Sequence, residues 1–399
     1  MNRNQHRKEI YLDNSMAAAP SPAAVGAMTS YLTNRWGVAS APHARGQALF
    51  PGIEEGLRNI YTLLGASDDD DIIITGSGAE AVNHVVSSVY RDLTKQIGKN
   101  HFIIASTDEA PAIMATGFLE ENDCAVTMLD AGSDGVLSVE QLAEAITPRT
   151  VLLSLSWGNG LTGTIHDVAA LAPLCRERGI LLHLDATHIL GKLYFDLKEV
   201  GADFITFNGE QLHGVPGTGA LWVRHGCKLS SFVLGGTEQG GLRAGNLNVP
   251  GLVALGVAAE EALDNRDYLC TEIARLRDKL EQGVVAGFPS AQACFRETER
   301  LPHISAITFP GIANEALLFA LDRVGVSACI GGGGFQQIGM NLQACSVDVV
   351  LAHSTVSFSL SRETTEEAIN HAIERIVEAA QRLSRVSQNM ELPQLAGEC

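Results

Sequence analysis

The chain has 399 residues, 46% of them hydrophobic and 19% charged, which is ample material for a large core in a water-facing fold. Lys+Arg number 28 against 46 Asp+Glu, and a formal charge of −18 argues against nucleic acid or an anionic membrane as a partner. The eight cysteines, at positions 124, 175, 227, 270, 294, 329, 345 and 399, show no CxxC or metal-type spacing. They read as small apolar residues of a reducing compartment.

The N-terminal MNRNQHRKEI is polar, lacks the apolar stretch of a secretory signal and is expected to fray, so cytosol is the expected location. From Tyr11, YLDNSMAAAPSPAAVGAMTSYL predicts a short strand, a Pro-rich turn and an amphipathic helix. Gln47–Leu64 predicts a second helix, ended by Gly65. Beyond Asp71, apolar strands (DIIIT, HFIIAS, AVTMLD, TVLLSLS, ILLHLDA, DFITFN) alternate with helical patterns. That alternation predicts an α/β fold with a mostly parallel sheet covered on both faces. Pro250 to about Val284 predicts one long helix, and the strands ISAITF and TVSFSL among later helices predict a smaller α+β unit. The expected division is a cofactor-type domain over 11–260, with 11–45 near the site, a small domain over 261–385, and a tail over 386–399.

Ligands of parallel sheets gather beyond the carboxyl ends of the strands, and three features fall there. Thr75-Gly76-Ser77-Gly78-Ala79-Glu80 lies between a strand and a helix, where free N–H groups suit a phosphate; a plain turn capped by Ser77 explains it as well. Asp185 ends ILLHLDA, where a buried carboxylate needs a partner or serves as a helix cap. Asn159, in WGNGLTG, suits either an amide contact to a ligand or ordinary turn chemistry. The runs Gly235–Gly251 and Gly331–Gly334 are further loops; the second follows Cys329 and suits a mobile loop bearing a reactive thiol.

The colinear segments YLDNS, GVASAPHARG, TGSGAEAVN, TVLLSLSWGNGLTGTIHDV, LCRERGILLHLDATHILGKLYFDL, PGTGALWVRHG, GGTEQGGLRAGNLNVPG and VSFSLSRETTEE run from Tyr11 to about Leu383. Together they resemble the cysteine desulfurases of the class V aminotransferase group. The resemblance implies a fold-type-I dimer that uses pyridoxal 5'-phosphate, with each site built from both chains. It also implies sulfur transfer from L-cysteine through a persulfide on a loop cysteine. By resemblance Asp185 meets the ring nitrogen, Asn159 the ring oxygen, and Cys329 is the sulfur carrier, with Cys345 as the fallback. Ser77, Gly78, Ala79, Asn208, Glu210 and Asn246 fall on cofactor positions. Asn14, His43, Ser357 and Arg362 fall on the substrate side.

Several positions depart from that pattern. Gln211 stands where the resemblance puts the Schiff-base lysine, and Asn208 to Cys227 contains no lysine. Glu210 replaces the preceding histidine, Asn208 a phosphate-contacting serine, Ala110 the histidine stacked on the ring, and Ala79 the phosphate-loop threonine. Asn246 replaces a threonine from the second subunit, His188 a glutamine, and Ser357 the arginine that clamps the substrate carboxylate. A glutamine amide is neither an imine-forming amine nor a base. The pattern therefore predicts a degenerate desulfurase-like protein without covalent cofactor, acting beside an active desulfurase or a sulfur-acceptor scaffold. Two alternatives remain: an enzyme holding pyridoxal or pyridoxamine phosphate non-covalently with His188 or His213 as base, and an active desulfurase or aminotransferase with a displaced lysine, Lys192 or Lys228.

Overall fold

Six strands of one sheet end at the same edge, and that edge carries the candidate residues. The computed structural model describes residues 9–332 and 336–389. Residues 1–8, Gly333, Gly334 and most of the expected tail (390–399) lie outside the described residues. After β1 (Ile10–Tyr11), the main sheet is formed by β2 (Asp71–Thr75), β3 (His101–Ala105), β4 (Ala125–Leu129), β5 (Thr150–Ser156), β6 (Leu181–Asp185), β7 (Phe204–Asn208) and β8 (Gly219–Val223). Its order is β2-β8-β7-β6-β5-β3-β4. Only β8 runs antiparallel to its neighbours. The mostly parallel sheet expected from the alternating pattern is present.

Side chains of β8 show why the sheet is buried on both faces. Leu221 and Val223 join one apolar cluster, with Val82, Val85 and Phe102. Ala220 and Trp222 point the other way, into a second cluster with Leu184, Ile205 and Leu255. Strand alternation with no polar side is the sequence signature of a sheet covered twice.

A separate antiparallel sheet is built from β9 (Gln292–Ala293), β10 (Ile304–Thr308) and, after β11 (Val326–Ser327), β12 (Gly331–Gly332) and β13 (Gln336–Gln337), from β14 (Thr355–Ser359). Its core joins Ile307, Phe309, Val356 and Phe358 to helix residues Leu276, Leu280, Leu317, Ile369 and Ile376. Strand β1 pairs parallel with β11, so Ile10 and Leu12 belong to this core.

Four local expectations need correction. Ile10 is not frayed, because a partner more than three hundred residues away pairs with it. The second helix begins at Phe50, after a separate turn of helix over Ala44–Gln47, and Gly65 ends it in the left-handed conformation (φ 68°). The long helix from Pro250 is interrupted: Val249–Asp264 stops at Asn265, and a π-helical turn at Leu269–Ile273 precedes Ala274–Gly287. The last helix, Glu366–Asn389, continues into the first residues of the expected tail.

Candidate active site

The ends of β5, β6 and β7 place Ser156, Asp185 and Thr206 side by side in the ladders, with Asn208 two residues further along β7. Asp185 is buried, and one carboxylate oxygen accepts the Thr187 N–H at 3.0 Å. Burial raises its pKa, Thr187 bonding opposes that rise, and the nearby Glu109 charge adds to it. Glu109 Oε1 lies 3.3 Å from His188 Nε2. The other ring nitrogen of His188, Nδ1, is buried without a hydrogen-bond partner among the described residues. His188 can sit there because residue 160 is glycine: a Cβ on Gly160 would fall 2.3 Å from His188 Nε2.

Asp108, next to Glu109, is fully buried and accepts the N–H groups of Ala105 and Ser156 at 2.8 and 2.6 Å. Desolvation pushes its pKa up to about 7. Three carboxylates thus converge near the ends of β3, β5 and β6.

Asn159 is held by its own turn. Its side-chain oxygen accepts Leu161 N–H and Thr162 N–H at 2.9 and 2.8 Å. Its amide donates to Thr107 O at 2.9 Å and, weakly, to Asn341 Oδ1 at 3.5 Å.

A hydrogen-bonded path leads from Asp185 through Thr187 to the turn after β7. Thr187 Oγ1 accepts the Asn208 N–H at 3.2 Å. Asn208 Oδ1 faces the Gly78 N–H at 3.4 Å, at the start of the helix Gly78–Val89. Asn208 Nδ2 donates to Gln211 Oε1 at 2.9 Å. Gln211 Nε2 then donates to Ser15 O at 3.0 Å and Met16 O at 2.9 Å. Ser77 caps the helix by accepting the Glu80 N–H at 3.1 Å, and Ala79 O accepts Asn83 Nδ2 at 2.9 Å. The Glu80 carboxylate accepts Gly76 N–H at 2.8 Å and pairs with Arg243. Glu210 opens the single 3₁₀ turn Glu210–Leu212 that carries Gln211, and Ala110 opens the helix Ala110–Glu120.

Other expected site residues lie elsewhere. His213 Nδ1 lies 2.8 Å from Ala19 O, and Arg362 pairs with Glu261. Both line a small cavity behind Gln211 together with Asn14. Asn14 Nδ2 donates to Ser359 O at 2.9 Å. His43 is exposed and caps a short helical turn through the Gly46 N–H. Asn246 is exposed beside an apolar cleft.

Cys329 is fixed on both sides of its peptide unit. It exchanges backbone hydrogen bonds with Ser357, at 2.9 and 2.8 Å. Its sulfur accepts the Gly331 N–H at 3.1 Å. Burial, then the Asp13 charge, pushes its thiol up to about 12. Of the loop expected to follow this cysteine, Gly331–Gly332 pairs with Gln336–Gln337, and Gly333 and Gly334 lie outside the described residues. Ser357 is fully buried, and its hydroxyl donates to Leu161 O at 2.7 Å. Cys345 is buried, and its thiol too is pushed up to about 12, by burial first and then by Asp134 and Asp130.

Sequence reasoning missed Glu109 and Thr187. Glu109 follows β3 as Asp185 ends β6, so a carboxylate at a strand end was the available signal. Thr187 carried none beyond its closeness to Asp185.

The class-V aminotransferase pattern matches residues 10–371. The chain belongs to that family. Within it, the chain is 35% identical over 370 residues to a cysteine desulfurase of Gluconacetobacter diazotrophicus, covering 92% of each protein. It is 32% identical over 383 residues to the cysteine desulfurase NifS of Azotobacter vinelandii, covering 95% of this chain and 94% of that protein. A solved NifS-like protein superposes with a TM-score of 0.87 at 24% identity, over 94% of this chain and all of the other (100%). A second, from Rickettsia africae, gives 0.83 at 23% identity over 94% and 99%. The fold is the α/β arrangement of these class-V proteins, with its large, mostly parallel sheet. No described helix is long and apolar enough to cross a membrane.

Proposed function

We propose that this class-V protein is a cysteine desulfurase relative that no longer performs imine chemistry on L-cysteine. One observation carries the reading. At the position where the family resemblance puts the Schiff-base lysine, Gln211 commits both amide N–H groups to Ser15 O and Met16 O, and its oxygen to Asn208. The side chain is a structural tie and offers no nucleophilic amine.

The fit to pyridoxal phosphate is divided. Asp185, buried at the end of β6, suits a protonated ring nitrogen, and the start of the helix Gly78–Val89 suits a phosphate. The residues do not fit covalent attachment, so no step through the group is derived. The nearest lysine candidate, Lys192, donates to Gln211 O at 3.1 Å and Leu190 O at 3.4 Å, and its charge is felt at His213 and His303. Those contacts put it behind the turn that carries Gln211. Among the described residues, no hydrogen bond or ion pair links Lys228 to the Asp185 cluster. At the position where the resemblance puts the carboxylate clamp, Ser357 is buried and bonded to Leu161 O, which supports the reading.

A second reading is favoured by His188. Its unpartnered Nδ1 and its contact with Glu109, beside Asp185, would suit a base for a non-covalently held pyridoxal or pyridoxamine phosphate. His213 lacks that placement.

The proposal includes a homodimer. A cleft of about 650 Å3, lined by Phe50, Ile53, Leu57 and Leu247, lies beside exposed Asn246, and a second copy would cover it. It also includes the division at about residue 260, a cytosolic location, and a role beside an active desulfurase or a sulfur-acceptor scaffold. The test is incubation with pyridoxal phosphate, borohydride reduction, peptide mapping, and an assay for alanine and sulfide from L-cysteine. Neither a pyridoxyl-lysine nor turnover is expected. A modified lysine with turnover overturns the first reading; tight reversible binding without modification supports the second.

A further inference from the structure

Behind Gln211 lies a cavity of about 30 Å3, lined by Lys192, His213, His303 and Arg362 with the amides of Asn14 and Asn265. Such a volume holds roughly one water-sized body. Its wall carries no carboxylate. Arg362 is matched by Glu261, and Glu363 lies beside the guanidinium on its exposed side. Lys192 is matched by nothing: it is 7% exposed and has no carboxylate within 4.0 Å among the described residues. Its two acceptors are backbone carbonyls, which leaves one N–H of an ammonium unspent.

His303 supplies the second observation. It is 2% exposed, and both ring nitrogens lack a partner among the described residues. The charged groups acting on it are Lys192, His188, Arg277 and His213, all of one sign when protonated. Burying an imidazole with neither ring nitrogen partnered is costly, and burying an ammonium without a counter-charge costs more. Desolvation lowers the Lys192 pKa to about 7, so near neutrality the group passes between amine and ammonium; a water would satisfy His303 but leave the ammonium form uncompensated. A compact anion satisfies both.

We propose that this cavity is a binding site for a single halide-sized monoanion, chloride being the abundant example, held between Lys192 Nζ and the His303 ring. The site does not depend on the fate of imine chemistry at Gln211. It lies against the main chain of that residue, so an occupied site would hold Lys192 charged and the Gln211 carbonyl in place.

Two measurements on the full chain test it. Crystals grown in sodium bromide should show an anomalous peak within hydrogen-bond reach of Lys192 Nζ and His303. Thermal unfolding in sodium chloride or bromide, against sodium gluconate at equal ionic strength, should show a saturable halide-specific rise of about 2–4 °C. Lys192→Met should abolish the rise; if that variant does not fold, His303→Gln should weaken halide affinity at least about tenfold, the loss expected for a charge-assisted contact. A bromide peak without a saturable rise marks an adventitious ion only and overturns the proposal. An ordered water at the position, with melting insensitive to halide, overturns it too.

Discussion

Asn208 Nδ2 donates to Gln211 Oε1 at 2.9 Å, and through this contact the turn after β7 reaches the N-terminal segment. The bond orients the glutamine amide so that both of its N–H groups face Ser15 O and Met16 O. Gln211→Ala removes all three bonds and leaves two carbonyls unmet. The expected loss is about 1–3 kcal/mol, read from urea unfolding, with faster amide exchange at residues 15–18. An unchanged midpoint and unchanged exchange would show that the tie carries no load.

Gln211→Lys separates capture from turnover. An amine returned to this turn should give a borohydride-trappable pyridoxyl adduct. Desulfuration is not expected to follow, because Ser357, buried and bonded to Leu161 O, offers no guanidinium fork. Recovery of both activities from this one change would mean that the remaining departures are neutral.

Cys329 should react slowly. With its thiol pushed up to about 12, its thiolate fraction at pH 8 is far below that of a free cysteine. Alkylation by iodoacetamide, followed by peptide mapping, should run at least about a hundred-fold slower than for an unhindered thiol. A rate near the free value would restore this cysteine as a sulfur carrier.

Two sets of buried groups lower stability on opposite sides of neutrality, against Asp108, whose raised pKa of about 7 favours the fold at acid pH, and Lys192, whose pKa lowered to about 7 favours it as pH rises above neutrality. His166 and His183 are buried, and desolvation lowers their pKa values to about 4 and about 3. The unfolded chain binds protons there first, so their stabilisation is complete above about pH 6.5 and is lost as pH falls toward those values. Cys175, Cys329 and Cys345 are each raised to about 12, chiefly by burial. Their stabilisation is complete below about pH 9 and is lost as pH rises toward 12. Each group contributes a slope of about 1.4 kcal/mol per pH unit within its window. Urea titrations from pH 4 to 10.5 on reduced protein check both limbs.

Glu281 is 1% exposed and holds Arg300 at 2.8 Å, with the Ser305 hydroxyl at 2.8 Å. Glu281→Gln leaves a buried guanidinium without its counter-charge. The expected cost is about 3–5 kcal/mol, measured as a lowered denaturation midpoint. Coupling this change to Arg300→Met should recover much of it, because a pair removed together leaves no buried charge behind.

The main sheet was legible because its signal is local. Runs such as ILLHLDA and DFITFN are bounded by turn residues and separated by helical periods, so strand order in the chain follows from pattern alone. Asp185 was legible for the same reason, as a charge at the end of an apolar run. What could not be read depends on distant partners. The pairing of Ile10 with Val326 has no mark near Ile10. The break at Asn265 and the π turn at Leu269–Ile273 sit in a stretch whose composition suits an unbroken helix. The resemblance could say that residue 211 is no lysine, but only the fold shows what its amide holds. Lys192 looked like an off-site lysine, and its isolation from any carboxylate among the described residues becomes visible only when His303, more than a hundred residues on, is brought to the same cavity.

The N-terminal segment is sewn into two places within a few residues. Ile10 and Leu12 sit in the core of the small sheet, while the carbonyls of Ser15 and Met16 hang from Gln211 at the edge of the large one. A strand used as a stitch resists shear: the two sheets cannot slide past each other without first pulling it out.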